Sequence, residues 1–125
     1  MRILLVMVLL VVPLFGEPPK CKTNPKVVSA CCKVHGRVTF GNGTPGLRMW
    51  PVGTKRMLGI TAGPIADDAD EPIAPENLLK HFDGKSWVYG DFEVCPFTPE
   101  RMGFMQMVCV ESASNLIVKH WQPSK

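Results

Sequence analysis

Two cysteines and a histidine lie close together where the regular part of the chain begins: Cys31, Cys32 and His35. A nucleophilic cysteine needs a base within hydrogen-bonding distance, and soft-metal sites usually draw on C-x-x-C pairs. Cys32 and His35 are three residues apart, which puts them on opposite faces of a β-strand. The chain contains no C-x-x-C pair and no G-x-S-x-G motif. These residues therefore predict no cysteine hydrolase, no nucleophilic serine and no soft-metal site.

An acidic run in the middle of the chain offers oxygen ligands: Asp67, Asp68, Asp70 and Glu71. A calcium-binding EF-hand loop alternates its acids, with glycine at its sixth position and glutamate at its twelfth. The run lacks that spacing, so we interpret it as a solvated acidic loop. The sequence accordingly predicts neither a metal nor a cofactor.

A third group combines cations with an indole: Arg48, Trp50, Lys55 and Arg56. Guanidinium groups beside an aromatic ring suit an anionic ligand or the centre of a protein interface. In the alternative, Trp50 packs in the core and the three charges face solvent. We take the four as candidate partner-binding residues.

The first sixteen residues match a secretory signal peptide. Arg2 precedes an apolar run over residues 3–15, and Gly16 supplies a small residue for cleavage. As a helix the run would span roughly 20 Å, too short for a bilayer core. We predict a secreted or periplasmic protein with no stable membrane span after cleavage. An uncleaved anchor or a buried first strand is the alternative.

All five cysteines follow the predicted signal. In an oxidising compartment they predict one or two disulfides and at least one free thiol. The disulfide candidates are Cys21, Cys31, Cys95 and Cys109. Pairings of Cys95 with Cys109 and of Cys21 with Cys31 are both feasible, and spacing does not choose between connectivities. We expect Cys32 to be the free one, buried on the inner side of a strand.

Length and composition bound the remaining possibilities. A chain of 125 residues fits one domain, and 46% hydrophobic residues exclude wholesale disorder. The net charge is only +3, and no basic stretch alternates with aromatics, which argues against a nucleic-acid partner. The 12 prolines and 11 glycines disfavour long helices.

The alternation of apolar and polar residues, interrupted by turn-forming residues, predicts short strands between turns. Residues 17–30 form a Pro- and Lys-rich extended tether, and residues 31–125 a single β-domain. In the first strand Val34, Val38 and Phe40 face the core. A turn over residues 41–46 follows, and then a strand over residues 47–52 that, because Pro51 lacks an N–H, either lies at a sheet edge or ends at Pro51. Residues 75–82 predict one or two helical turns in an irregular middle loop.

The later segments complete six or seven short strands. They are residues 57–60, 86–89, 91–95, 104–110 and 115–121. Phe92 and Val94 are expected in the core. This number of short strands is typical of an all-β sandwich or small barrel.

Two segments carry a family resemblance. Residues 34–38, the turn at residues 42–45 and residues 47–50 resemble the opening hairpin of transthyretin-like and carboxypeptidase-regulatory-like domains, and residues 90–94 resemble a later strand. The resemblance implies an immunoglobulin-like, prealbumin-like β-sandwich used as a binding or structural module, with no catalytic residues. Residues 48–60 are also similar to small exported bacterial proteins of unassigned function.

Together these patterns predict a small exported β-sandwich without catalytic activity. It would bind a protein partner or an anionic ligand, or play a structural role outside the cytoplasm. The alternatives are a small metal- or cysteine-dependent enzyme and an inhibitor of a secreted enzyme.

Overall fold

Five strands and one short helix make up the fold. The computed structural model describes residues 21–41, 43–65, 71–82 and 84–120. The predicted signal peptide and Asp67, Asp68 and Asp70 lie outside these residues. The elements are β1 (Cys32–Phe40), β2 (Leu47–Pro51), β3 (Leu58–Ile60), α1 (Glu76–Leu79), β4 (Ser86–Pro96) and β5 (Gln106–His120).

The strands form one mixed sheet that closes into a barrel in the order β1-β2-β3-β5-β4. β4 pairs back onto β1, and every pair is antiparallel except β3 with β5. The all-β prediction is confirmed. The predicted immunoglobulin-like or prealbumin-like sandwich is not confirmed, because the described strands belong to a single closed sheet rather than to two packed sheets.

The structure has five strands rather than the predicted six or seven, because two of them are long and continuous. The segments expected as separate strands at residues 86–89 and 91–95 are both parts of β4, which has a register shift against β5 between Tyr89 and Asp91. In β5, Asn115 has a positive φ of 52° at the corresponding place. A bulge bends a strand without ending it, so an interruption of the apolar pattern did not mark a strand end.

Alternate side chains of the strands fill the barrel. Phe92 and Val94 are 1% and 2% exposed, as predicted, and Val38 is fully buried. Phe40, also predicted to face the core, is 54% exposed because it is the last residue of β1 and lies beyond the closed part of the barrel. Other buried members of this core are Leu47, Met49, Leu58, Ile60, Ala74, Val88, Val108 and Val110.

The predicted short helix is confirmed as α1. Pro75 is its N-cap residue, and Leu78 is fully buried in the same core as the strands. Asn77 fastens the helix to the barrel by donating a hydrogen bond to the carbonyl of Ala113 at 2.9 Å. Within the described part of the chain, no helix has the length and apolar character needed to cross a membrane.

The predicted turn between β1 and β2 is present. The N–H of Gly41 donates to the carbonyl of Gly46 at 2.8 Å, and Gly43 has a φ of 116°, which side-chain-bearing residues rarely adopt. β2 ends at Pro51, which is one of the two expectations for that residue, and it is not an edge strand because it pairs with both β1 and β3.

Two disulfides fasten the segment before β1 to the barrel. Cys21 pairs with Cys109 and Cys31 with Cys95, so neither of the pairings considered from the sequence is formed. Cys95 and Cys109 lie opposite each other on β4 and β5, yet each bonds to the N-terminal segment instead. With 88 and 64 residues of separation, each crosslink stabilises the fold by about 4–5 kcal/mol in the chain-entropy description.

Residues 21–30, expected to be an extended tether, lie against the barrel. The N–H of Val28 donates to the carbonyl of Pro96 at 2.9 Å, and the N–H of Lys22 donates to the Glu111 carboxylate at 2.8 Å. The side chain of Lys22 also pairs with Glu93 at 2.7 Å. These contacts and the two disulfides make this segment part of the folded domain.

Candidate functional site

Aromatic and cationic side chains meet on the outer surface of the barrel. They come from four strands, β1, β2, β4 and β5. We call this group the aromatic–cation face. Its members are Arg37, Trp50, Trp87, Tyr89 and Lys119.

Strand register brings these residues together. Arg37 lies opposite Trp50 on β2 and opposite Tyr89 on β4, and Trp87 lies opposite Lys119 on β5. Directly opposed residues have Cβ atoms about 5 Å apart, and diagonal neighbours remain within reach of long side chains. Because alternate residues of a strand share a face, these side chains point outward, while Val38, Met49 and Val88 between them point inward.

The Arg37 guanidinium is held between two indoles. Its central carbon is 5.1 Å from the ring centre of Trp50 and 5.0 Å from that of Trp87. Both distances fall within the range of an attractive cation–π contact. The Nε atom of Arg37 is buried and has no hydrogen-bond partner among the described residues. An unpaired buried donor costs stability.

A second cation extends the same surface. The Lys119 ammonium is 5.4 Å from the ring centre of Tyr89. A shallow depression of ≈330 Å³ opens beside Arg37, and Trp50, Tyr89 and the turn after β2 form its walls. The depression is therefore lined by a cation, by two aromatic side chains and by the turn after β2.

A polar depression of ≈370 Å³ continues the face along β1 and β4. In it the Nδ1 atom of His35 and the Oδ1 atom of Asp91 are 2.8 Å apart, and the amide of Asn115 donates to the other Asp91 oxygen at 2.9 Å. These two hydrogen bonds, that of Asn115 first and that of His35 second, hold the pKa of Asp91 below its usual value. Lys33, Glu93, Ser112 and Ser114 complete the lining.

The histidine and the acid do not activate a nucleophile among the described residues. His35 is hydrogen-bonded to Asp91, and the Ser114 hydroxyl donates to the main-chain carbonyl of Asp91 at 3.4 Å rather than to the ring. Both His35 and Asp91 are substantially exposed, at 62% and 48%. This pair is an exposed hydrogen-bonding surface, suited to hydroxyl or amide groups of a ligand.

The cysteines with metal-ligand spacing are already bonded. Within the described ranges, the sulfurs of Cys21, Cys95 and Cys109 lie within 4.8 Å of one another, but each belongs to a disulfide. Cys32 is the free cysteine, as predicted, but it is exposed rather than buried. Cys32 is the first residue of β1 and Phe40 the last, and each is paired with a neighbouring strand on one side only.

The four residues singled out from the sequence occupy three places. Trp50 is half-buried on the aromatic–cation face. Arg48 donates to the carbonyl of Pro45 at 2.9 Å and supports the turn before β2. Lys55 and Arg56 lie in the turn after β2, where they line a separate groove.

Sequence reasoning missed Arg37, Trp87, Tyr89 and Lys119 as site residues. The alternation along β1 already placed Arg37 on the outer side, but nothing local connected it with an indole fifty residues away. Comparison with protein-family models, with curated proteins and with solved structures gives no match for this chain.

Proposed function

We propose that this chain is an exported, disulfide-bonded binding protein without catalytic activity, and that its aromatic–cation face holds an anionic ligand. The observation that carries the proposal is the Arg37 guanidinium, which lies over the rings of both Trp50 and Trp87 and lines the depression on this face. Contact with two rings restrains the guanidinium, which reduces the ordering cost of binding a carboxylate, sulfate or phosphate through its terminal amino groups.

The character of the whole surface favours an acidic oligosaccharide. Aromatic side chains offer flat apolar platforms on which sugar rings can stack, and the neighbouring depression offers the imidazole of His35 and the carboxylates of Asp91 and Glu93 to hydroxyl groups. The outer surface is open rather than enclosed, which suits a chain-like ligand.

Charge argues against a nucleic acid on the same surface. Asp91 in the adjoining depression offsets part of the charge of Lys33, Arg37 and Lys119, and Glu93 there is paired with a fourth cation, Lys22. Nucleic-acid affinity depends on neutralising several phosphates in a row. A weakly positive face with two acids fits a ligand that carries isolated charges among hydroxyl groups.

The topology supports a binding role by analogy. The strand order, the parallel β3–β5 pair and a helix between β3 and β4 resemble OB-fold barrels, a class that binds oligosaccharides and oligonucleotides on an outer strand face and its loops. Fold likeness alone does not assign a ligand, so the proposal depends on the residues of the face. The two disulfides are consistent with an extracellular location.

The test is a fluorescence titration of the purified protein with oligogalacturonate. Trp50 and Trp87 contact Arg37, so a ligand at the face should change their emission saturably, whereas a neutral cello-oligosaccharide should not. Loss of a charge-assisted hydrogen bond is expected to weaken binding about 10- to 100-fold in Arg37→Met. Lys80→Met removes an exposed cation at the end of α1 and is the matched control.

Competing probes separate the alternatives. Stronger binding of a thymidine oligomer than of oligogalacturonate would make the ligand a nucleic acid and contradict the proposed class. Binding of dextran sulfate or inorganic phosphate alone would keep the anionic ligand but exclude uronates. No response to any anion would contradict the anionic ligand altogether and favour a protein partner.

A further inference from the structure

One end of the barrel combines exposed apolar side chains with cations. β2 and β4 both run toward this end, so the β2–β3 turn and the β4–β5 loop lie side by side there. A groove of ≈770 Å³ separates them and is lined by residues 55–57 and 100–106. We call the side chains around this groove the cationic tip: Lys55, Arg56, Arg101, Met102 and Phe104.

The apex of the cationic tip is apolar and exposed to solvent. Met102 is 99% exposed and Phe104 is 69% exposed, although a folded chain normally covers residues of this size at least in part. Gly103 between them has a φ of 81°, which turns the loop sharply at its apex. The two side chains therefore project from a narrow, convex loop rather than from a flat patch.

Cations surround the apex. Lys55, Arg56 and Arg101 are all exposed, and the Arg101 guanidinium lies 5.2 Å from the ring centre of Phe104. Glu100 offsets one of them through an ion pair with Arg56, at 3.3 Å. The remaining positive charge is carried by Lys55 and Arg101 on either side of the groove.

We infer that the cationic tip docks this protein onto a lipid surface that contains anionic headgroups. A convex apex with methionine and phenylalanine can enter the boundary between headgroups and acyl chains, and the flanking cations meet the headgroup charges. The strength of interfacial binding depends on buried apolar area and on attraction to anionic lipids, and the loop offers both contributions. A second copy of this chain is the competing occupant of the tip, and the experiment below distinguishes the two. This surface is distinct from the aromatic–cation face.

The experiment is flotation of the purified protein with vesicles of phosphatidylcholine, with and without a minor fraction of phosphatidylglycerol. Binding is expected to the anionic vesicles and not to the neutral ones, and to weaken as salt is raised. Removing one headgroup-facing cation, in Lys55→Ala or Arg101→Ala, should weaken binding about fivefold. The double variant Met102→Ser/Phe104→Ser should lose it.

Phe40→Ser is the matched apolar control. Phe40 is also more than half exposed but lies at the opposite end of the barrel, so vesicle binding should not change. All the altered side chains of the tip are exposed, so the variants should fold, and unchanged far-ultraviolet circular dichroism would verify this.

The inference would be overturned if the protein did not float with anionic vesicles, if it floated equally with neutral ones, or if the double variant floated as well as the native protein. Loss of flotation in Arg37→Met would also overturn it, because the contact would then belong to the aromatic–cation face. Concentration-dependent dimers in sedimentation velocity that the double variant abolishes would show instead that the tip binds a second copy. The oligogalacturonate titration reports on a different surface and is independent of each of these outcomes.

Discussion

Replacement of Arg37 by methionine tests whether that residue serves binding or stability. The native guanidinium makes two cation–π contacts, at 5.1 and 5.0 Å. Methionine keeps an unbranched side chain between the two indoles but removes the charge and the donors. The variant therefore separates the packing of the stem from the chemistry of the head group.

The expected change in stability is small because two effects oppose each other. Two half-exposed cation–π contacts contribute about 1–2 kcal/mol together. The buried Nε–H of Arg37 without a partner costs about 1–3 kcal/mol, and methionine recovers part of the aromatic contact through its sulfur. We expect the free energy of unfolding of Arg37→Met to stay within about 1 kcal/mol of the native value, in either direction.

Arg37→Ala provides the contrast. Alanine leaves a gap between Trp50 and Trp87, so the packing of the stem is lost as well as the charge. We expect this variant to be less stable than Arg37→Met by about 1–2 kcal/mol. Both variants should bind oligogalacturonate equally poorly, because neither has a guanidinium.

Urea unfolding with the disulfides intact, followed by tryptophan fluorescence, measures these differences. A change of 1 kcal/mol shifts the midpoint by about 0.5 M. If Arg37→Met were less stable than the native protein by more than about 2 kcal/mol, or if it kept full affinity for the anion, Arg37 would be a structural residue. The assignment of the face as a ligand site would then be refuted.

Three further predictions follow from single contacts. Iodoacetamide should add to one cysteine of the unreduced native protein, Cys32, and to all five after reduction and unfolding; intact mass measures this, and two or more native adducts would contradict the disulfides. Asn115→Ala should raise the pKa of Asp91 toward its usual value, as followed by carboxyl NMR titration. The stability that the lowered pKa supplies is present above the ordinary carboxyl pKa and lost as pH falls through the lowered one. Alanine is strained at the positive φ of Asn115 at every pH, so the coupling predicts that Asn115→Ala loses more stability at neutral pH than in acid; an unchanged pKa would refute it. Gly90→Ala should destabilise the fold by about 1–3 kcal/mol, because the new Cβ would lie 3.0 Å from the carbonyl oxygen of Ser114. Thermal unfolding measures this, and native-like stability would contradict so close an approach of β5 to Gly90.

Local patterns predicted the local elements well. The turn at residues 41–46, the end of β2 at Pro51 and the helical turn after Pro75 were all predicted from residues adjacent in the chain. The inward positions of Phe92 and Val94 followed from the period of two along one strand. Each of these features depends on forces that act within a few residues.

The sequence did not predict the continuity of β4 and β5 or the closure of the barrel. Register shifts between Tyr89 and Asp91 and between Glu93 and Val94 interrupt the pairing of β4 with β5 without ending either strand, so the pattern predicted more strands than the structure has. Closure of the sheet depends on β4 pairing with β1 across fifty residues. No local pattern distinguishes that pairing from the packing of two separate sheets.

For the disulfides, too, the sequence predicted one part and the tertiary structure decided the other. The sequence identified the four bonded cysteines and Cys32 as the free one, from composition and strand pattern. It did not determine the partners, because connectivity depends on where the N-terminal segment meets β4 and β5 in space.

By itself, the sequence determined an all-β chain with its turns, its short helix and most of its inward-facing residues, since these follow from backbone preferences and the burial of alternate apolar side chains. Only the tertiary structure decided that Arg37 lies between Trp50 and Trp87, and that Met102 projects beside Lys55 and Arg101. The reason is physical: a site on a barrel surface is defined by the register between strands, and register is set by long-range pairing and closure.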